Sequence, residues 1–136
     1  MLIVDAGPLY AAAARRDRNH KRSVDLLSAA PRPLLVPTLV VTEVAYLLGD
    51  RIGTHAEVAF ARSLEGGEIT VEPVLDSDWP RIAELTDQYS ELPLGIVDAS
   101  VIALAERSQL DTIATLDHRH FATVKPRHVE AFTLVP

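Results

Sequence analysis

The sequence predicts an α/β fold with a central, mostly parallel β-sheet of about five strands, flanked by helices in an α/β/α sandwich. Short apolar segments alternate with longer helical patterns along the 136 residues, which is the pattern of repeated βαβ units. Apolar residues make up 48% of the chain, enough to form a substantial core. Because no repeat and no Gly/Ser-rich linker divides the chain, we expect residues 1–136 to form a single domain.

Five apolar segments are the predicted strands. Each is short, contains Val, Ile, Leu or Thr, and is bounded by turn-forming or acidic residues. They are LIVD (2–5), PLLVP (33–37), ITVEPV (69–74), DTIATLD (111–117) and AFTLVP (131–136).

Six longer segments have helical periodicity. They are GPLYAAAARR (7–16), NHKRSVDLLSAA (19–30), TLVVTEVAYLLG (38–49), GTHAEVAFARSLEGG (53–67), DSDWPRIAELTDQY (76–89) and VDASVIALAERSQ (97–109). Thr38 and Thr54 are predicted N-caps, and Gly49 is predicted to end the third helix. Pro8 and Pro80 lie near helix starts, where proline is tolerated.

The composition excludes several classes of site. The chain has no cysteine, so disulfides, thiol catalysis and cysteine-based zinc sites are excluded. No basic leader and no apolar segment of membrane-spanning length is present, and we therefore expect a cytoplasmic protein without a membrane partner. The net charge of −6 does not favour a nucleic-acid binder. A site built from carboxylates also makes the net charge more negative, however, so the charge does not exclude RNA as a partner.

Four acidic residues occupy positions that favour a common site. Asp5 and Asp117 end predicted strands, whereas Glu43 and Asp98 interrupt apolar stripes of predicted helices. Sites in parallel α/β folds lie beyond the carboxyl ends of the strands. Each acid also has an ordinary structural explanation: Asp5 and Asp117 as helix caps, Asp98 through the helix dipole, and Glu43 through a buried arginine.

A divalent cation accounts for all four acids together. Crowded carboxylates repel one another and resist ionisation, and Mg²⁺ or Mn²⁺ prefers such oxygen ligands. A cation of this kind supports phosphodiester hydrolysis with water as the nucleophile. The sequence contains no G-x-S-x-G motif and no glycine-rich phosphate loop that would indicate another chemistry.

At these acids the chain resembles the PIN-domain ribonuclease family and, within it, the VapC-type toxins of type II (VapBC) toxin–antitoxin systems. The motifs that carry the resemblance occur in the family's order. They are LIVDAGPLYAA, VPTLVVTEVAYLL, LGIVDASVIALAE and TIATLDHRHF. One position departs from many relatives, because Ala6 stands where they place a hydroxyl residue after the first acid.

The resemblance implies an endoribonuclease that depends on one or two Mg²⁺ or Mn²⁺ ions and cuts structured RNA, either transfer RNA or ribosomal RNA, so that translation is inhibited. It assigns catalysis and metal binding to Asp5, Glu43, Asp98 and Asp117, and places the hydroxyl of Thr115 near the metal. It also implies a VapB-like antitoxin as partner and a homodimer, which becomes a heterotetramer or larger assembly with the antitoxin.

Two basic clusters are candidate RNA contacts. The first consists of Arg15, Arg16, Arg18, Lys21 and Arg22, and the second of Arg119, Lys125 and Arg127. Such residues give salt-dependent affinity for phosphates, and a solvated helix entrance is an equal explanation for the first cluster. His118 and His120 form an H-x-H pattern, which is a poor match to an oxygen-only metal site. A part for His120 in catalysis or phosphate contact is left open.

Other features leave alternatives open. The face formed by Ala56, Ala59, Phe60 and Leu64 is either core or a groove for an antitoxin segment, and Trp79 is expected to pack or to contact a partner. The same site also suits a housekeeping RNA-processing nuclease without an antitoxin, or a catalytically silent RNA- or protein-binding module. Receiver and HAD-type phosphatase domains fit poorly, because Asp5 is followed by Ala6 and Gly7 rather than by a second acid.

Overall fold

The computed structural model describes residues 1–136 and contains a five-stranded parallel sheet in the order β3-β2-β1-β4-β5. The strands are β1 (Leu2–Val4), β2 (Leu34–Pro37), β3 (Ile69–Glu72), β4 (Thr112–Ala114) and β5 (Thr133–Val135). The helices are α1 (Ala6–Ala13), α2 (His20–Ala29), α3 (Thr38–Arg51), α4 (Thr54–Ser63), α5 (Trp79–Gln88), α6 (Ile96–Ser108) and α7 (His118–Thr123), with a short 3₁₀ turn over Asp76–Asp78. The predicted α/β class and parallel sheet are confirmed.

The order of the strands creates a crevice between β1 and β4. From β1 the chain adds β2 and β3 on one side, then crosses back and adds β4 and β5 on the other. In the register of the sheet, Ile3 lies opposite Ile113 and Val4 opposite Ala114. The two strands therefore end side by side. The connections that follow them leave in opposite directions, which is where parallel α/β folds bind ligands.

The central strands are buried, as expected for a sheet covered on both faces. All residues of β1 and β2 are buried, and α6 is enclosed from Ala99 through Glu106. The segment 118–123, outside the six predicted helices, forms α7, which the fully buried Phe121 anchors to the core.

The predicted caps of the third helix are wrong. Pro37 occupies the N-cap position of α3, and the hydroxyl of Thr38 instead donates to the carbonyl of Glu72 in β3. The helix continues past Gly49, which lies where the Glu57 carboxylate of α4 comes too close for a Cβ atom. Since Glu57 is exposed and its carboxylate ends a flexible side chain, the packing of α3 on α4 does not require glycine at this position. The change of direction falls at Gly53, whose φ of 141° only glycine adopts readily, and Gly53 replaces Thr54 as the N-cap of α4.

Fewer residues of α3 are buried than the apolar pattern of the sequence indicated. Val40, Val44 and Leu48 are fully buried, whereas Glu43 is exposed to solvent. No ion pair of the chain includes Glu43. The expectation of a buried charge within the stripe is thus wrong, and so is a buried arginine as its partner. None of the seven helices has the length and apolar character needed to cross a membrane.

Candidate active site

Asp5 lies at the base of an open cleft at the carboxyl ends of β1 and β4. Its main-chain N–H donates to the carbonyl of Ala114 at 2.9 Å, which fixes the end of β1 against β4. The side chain is only 6% exposed. Although Asp5 occupies the N-cap position of α1, its carboxylate makes no capping hydrogen bond. The carboxylate is therefore free to face the cleft.

Thr115 connects the two strand ends. Its hydroxyl donates to Oδ2 of Asp5 at 3.0 Å and accepts from the main-chain N–H of Asp117, also at 3.0 Å. Thr115 is completely buried. One hydroxyl thus orients the Asp5 carboxylate and fixes the turn that carries Asp117.

The four acids predicted from the sequence face the same cleft. Asp5 directly follows β1, Glu43 lies in the second turn of α3, Asp98 in the first turn of α6, and Asp117 in the turn after β4. Glu43 and Asp117 are exposed at the rim, and Asp98 is half-buried. Gly7 lies below the cleft, where an added Cβ would meet Leu116 at 3.2 Å, so that the turns after β1 and β4 approach closely.

The three acids Asp5, Glu43 and Asp98 have raised pKa values. Burial raises the pKa of Asp5 to about 7, and the charges of Asp98 and Glu43 add to that rise, against the lowering effect of hydrogen bonds from Ala6 and Thr115. Desolvation and the charge of Asp98 raise the pKa of Glu43. Desolvation also raises the pKa of Asp98, although His120 opposes the rise. The cleft therefore holds more negative charge than the chain itself compensates.

Asp117 caps a helix and also lies at the acidic cleft. It is the N-cap of α7 and accepts a hydrogen bond from the main-chain N–H of His120 at 3.3 Å. It also borders the acidic cleft. The ring Nδ1 of His120 lies 2.7 Å from Oδ2 of Asp98 and 3.1 Å from Oδ2 of Asp117. His118 is exposed and takes no part in these contacts.

Of the two basic clusters, only Arg119 borders the cleft. Residues 15–22 follow the far end of α1, whose eight residues place them about 12 Å from Asp5. None of the five basic side chains in that segment lines the cleft. In the second cluster, Arg127 is directed to Glu84 at 3.0 Å, away from the acids.

The apolar face of α4 combines the two alternatives left open by the sequence. Phe60 is 7% exposed and belongs to the core. Ala56 and Ala59 line a groove of about 350 Å³ together with Leu9 of α1 and Ile69 of β3. Trp79 is 45% exposed and lines a pocket with Ile82 and Ile96 that is separate from the acidic cleft.

The sequence left the role of His120 open and did not predict its contact with Asp98. The relevant signal is the spacing of Asp117 and His120, three residues apart, which places both on one face if the segment is helical. That helix is only six residues long, so periodicity alone gives little support for it. The pairing with Asp98 joins residues 22 positions apart and depends on the tertiary fold.

The donor atoms of the cleft suit a divalent cation. Carboxylate oxygens are the ligands that Mg²⁺ and Mn²⁺ prefer, and neither Asp5 nor Glu43 forms an ion pair with a basic residue. These side chains do not form a group of three or more that is already arranged to hold a metal ion. What fits a metal is therefore the composition and the uncompensated charge of the cleft.

Comparison with known proteins agrees with this architecture. Residues 2–125 match the model of the PIN domain family. The chain is 31% identical over 135 residues to Ribonuclease VapC26 of Mycobacterium tuberculosis, covering 99% of this chain and all of that protein.

Two solved structures share the fold. VapC20 of Mycobacterium tuberculosis, described as a sarcin–ricin loop cleaving toxin, superposes with a TM-score of 0.83 at 22% identity and covers 96% of this chain and 99% of its own. A toxin–antitoxin complex from Klebsiella pneumoniae gives a TM-score of 0.71 at 18% identity, with 91% of this chain and 92% of that chain covered. Together with the family match over almost the whole length, these findings show that the chain belongs to the PIN domain family and is of the VapC type.

Proposed function

We propose that this protein is a metal-dependent endoribonuclease and the toxin of a VapBC-type toxin–antitoxin pair. The observation that carries the proposal is the convergence of Asp5, Glu43, Asp98 and Asp117 on one open cleft at the carboxyl ends of β1 and β4. The raised pKa values of Asp5, Glu43 and Asp98 support it, because they express negative charge that a cation would neutralise.

The names of the relatives support the same reading. The relative of 31% identity is a ribonuclease of the VapC group, and the structural neighbours include a toxin that cleaves the sarcin–ricin loop and a toxin–antitoxin complex. We propose structured RNA, transfer RNA or ribosomal RNA, as the substrate, with inhibition of translation as the consequence.

The residues of the cleft have distinct parts in the proposed reaction. Asp5, Glu43, Asp98 and Asp117 hold one or two Mg²⁺ or Mn²⁺ ions, which supply the positive charge that activates water and stabilises the transition state at phosphorus. Thr115 keeps the Asp5 carboxylate oriented toward the cleft through its hydrogen bond of 3.0 Å. Arg119 at the rim contacts an RNA phosphate and so positions the strand across the acids.

The partners follow from the same assignment. We propose a VapB-like antitoxin that silences the nuclease, a homodimer of the toxin, and a heterotetramer or larger assembly of the two proteins in the cytoplasm. The groove between α1, α4 and β3 has the apolar lining that an antitoxin segment requires. Within the assembly, residues 1–136 act as one nuclease domain.

The decisive test compares the wild-type chain with Asp98→Asn on expression in a bacterial host, with the 5′ ends of total RNA mapped. We expect growth arrest and discrete new 5′ ends for the wild type only. Asp98→Asn keeps the size of the side chain and removes its charge, so a soluble, folded variant separates the chemistry from the fold. New ends of equal abundance for both proteins would contradict the proposal.

The same proposal predicts how purified variants cleave RNA. Asp5→Ala, Glu43→Ala and Asp98→Ala each lower the cleavage rate at least about a hundredfold, with an equal or smaller loss for Asp117→Ala. EDTA abolishes cleavage, and added Mg²⁺ or Mn²⁺ restores it. A folded Glu43→Ala protein that cuts RNA at the wild-type rate in Mg²⁺ would remove α3 from the site.

A further inference from the structure

We infer that His120 is a positioning residue that holds Asp98 and Asp117 in the arrangement that binds the metal. The inference rests on the proposed function. Its basis is the contact of His120 with Asp98 and Asp117, which joins α6 to α7 across the cleft.

The hydrogen-bond geometry defines which ring nitrogen is involved. Nδ1 of His120 lies 2.7 Å from Oδ2 of Asp98. When Asp98 is ionised its carboxylate can only accept, so this contact then requires the proton on Nδ1. The same nitrogen lies 3.1 Å from Oδ2 of Asp117. Nδ1 thus lies between two negative side chains that would otherwise repel each other across the cleft.

His120 contacts both oxygens of Asp117. The main-chain N–H of His120 donates to Oδ1 at 3.3 Å, and its ring nitrogen approaches Oδ2. Since Asp117 is itself exposed at the rim, these contacts are what orients it. Its carboxylate is directed toward the imidazole, in the arrangement by which an acid fixes the orientation of a histidine.

The fold fixes the position of His120. The residue lies in α7 between the N-cap Asp117 and Phe121, whose side chain is fully buried. Thr115 fixes the start of the same turn through the N–H of Asp117. The ring is 20% exposed, so its position is set by the fold. Groups that orient metal ligands in this manner commonly contribute 10- to 100-fold to metal affinity or activity, which is about the effect expected here.

The test measures Mn²⁺ binding to the full-length, RNA-free protein by calorimetry, together with cleavage of RNA. We expect His120→Ala to weaken Mn²⁺ binding about 10- to 100-fold and to lower kcat more than it changes KM. His120→Asn places an amide N–H near the position of Nδ1 and restores most of the affinity, whereas His120→Gln places it near the position of Nε2 and does not.

His118→Ala is the matched control, because His118 begins the same helix and borders the same cleft, but its ring forms no hydrogen bond or ion pair with either acid. We expect it to bind Mn²⁺ as the wild type does, and thermal unfolding without metal establishes that each variant is folded. Wild-type Mn²⁺ affinity in a folded His120→Ala protein would overturn the inference and leave the proposed nuclease intact. Equal impairment of the Asn, Gln and Ala variants would overturn it as well. A wild-type protein that neither binds Mn²⁺ nor cuts RNA would overturn the proposed function itself.

Discussion

The two ends of α6 carry acidic side chains in opposite electrostatic situations. Asp98 in the first turn borders the cleft, and burial raises its pKa. Glu106 near the last turn accepts hydrogen bonds from Nε and Nη2 of Arg81 at 2.8 and 2.9 Å and from the N–H of Arg127 at 2.7 Å. Burial alone would raise the pKa of Glu106, but these donors bring it below its usual value. A single helix thus joins a compensated acid to an uncompensated one.

The contrast is sharpest between Asp5 and Glu106, because the two are almost equally buried, at 6% and 9% exposed. Asp5 has only a hydroxyl and a main-chain N–H for its charge, and its pKa rises to about 7. The chain therefore supplies arginine where an acid stabilises the fold and none at the base of the cleft. A buried carboxylate without a basic partner marks a place for a cation from outside the chain.

The largest expected effect is on the stability of the metal-free protein when the charge of Asp5 is removed. Because the folded-state pKa of Asp5 is raised from 3.8 to about 7, the folded protein holds a proton that the unfolded chain has lost. Stability therefore falls as the pH rises from about 4 to about 7, by on the order of 4 kcal/mol. Asp5→Asn removes this loss and is more stable than the wild type at pH 8 in EDTA, but not at pH 4.

Urea unfolding at both pH values measures this difference. Asp87→Asn is the control, since Asp87 is an exposed acid outside the cleft and forms no ion pair. Equal urea midpoints for Asp5→Asn and the wild type at pH 8 would mean that the cleft accommodates the charge of Asp5 without a cation.

Removing the basic partner of Glu106 should lower the stability of the protein, in contrast to the gain expected for Asp5→Asn at pH 8. Arg81→Met keeps the apolar stem of the side chain but leaves Glu106 with only main-chain and exposed partners, and we expect a loss of about 3 kcal/mol. Arg81 is 11% exposed, so solvent replaces little of the lost interaction. The midpoint of urea unfolding measures the loss, and adding Glu106→Gln should recover part of it. RNA cleavage by the folded fraction should be unchanged.

The fold followed from the sequence because its signals are local. The alternation of strands and helices needs only patterning within each segment, and all five strands and all six predicted helices are present. Gly49 shows the limit of such signals. The same residue type that commonly ends a helix lies inside α3, which continues to Arg51.

The site was predictable in part for the same reason. Asp5 and Asp117 end strands that the sequence identifies, and parallel strands bring such ends to one edge of the sheet. The exposure of Glu43 and the contact of His120 with Asp98 depend on how helices far apart in the chain pack together. The distance of residues 15–22 from the cleft follows from the direction of α1, which periodicity does not encode.

A smaller effect is expected at Thr115, whose hydroxyl joins Asp5 to Asp117. Thr115→Val has nearly the same shape but lacks the donor to Asp5, and we expect a loss of about 1–2 kcal/mol in stability. Because that donor lowers the pKa of Asp5, its loss raises the pKa further and moves the acid limb of the cleavage profile to higher pH. Thr115→Ser should restore both properties, and a profile that does not move in Thr115→Val would contradict the link to Asp5.

The smallest expected effect is on the salt dependence of RNA binding, and it distinguishes Arg119 at the cleft from Arg127 near Glu106. Arg119 borders the acids and has no ion pair, whereas Arg127 is held by Glu84 at 3.0 Å. In an Asp98→Asn background, which prevents cleavage, Arg119→Ala should reduce the salt dependence of RNA binding by about one phosphate contact. Arg127→Ala should leave that slope unchanged, because its charge is already used within the protein. Binding to the RNA identified by 5′-end mapping, measured over a series of salt concentrations, gives both slopes. Equal slopes for the two variants would mean that the RNA does not cross the rim at Arg119. A decrease in the salt dependence for Arg16→Ala instead would mean that the RNA lies along α1 and contacts the basic cluster of residues 15–22.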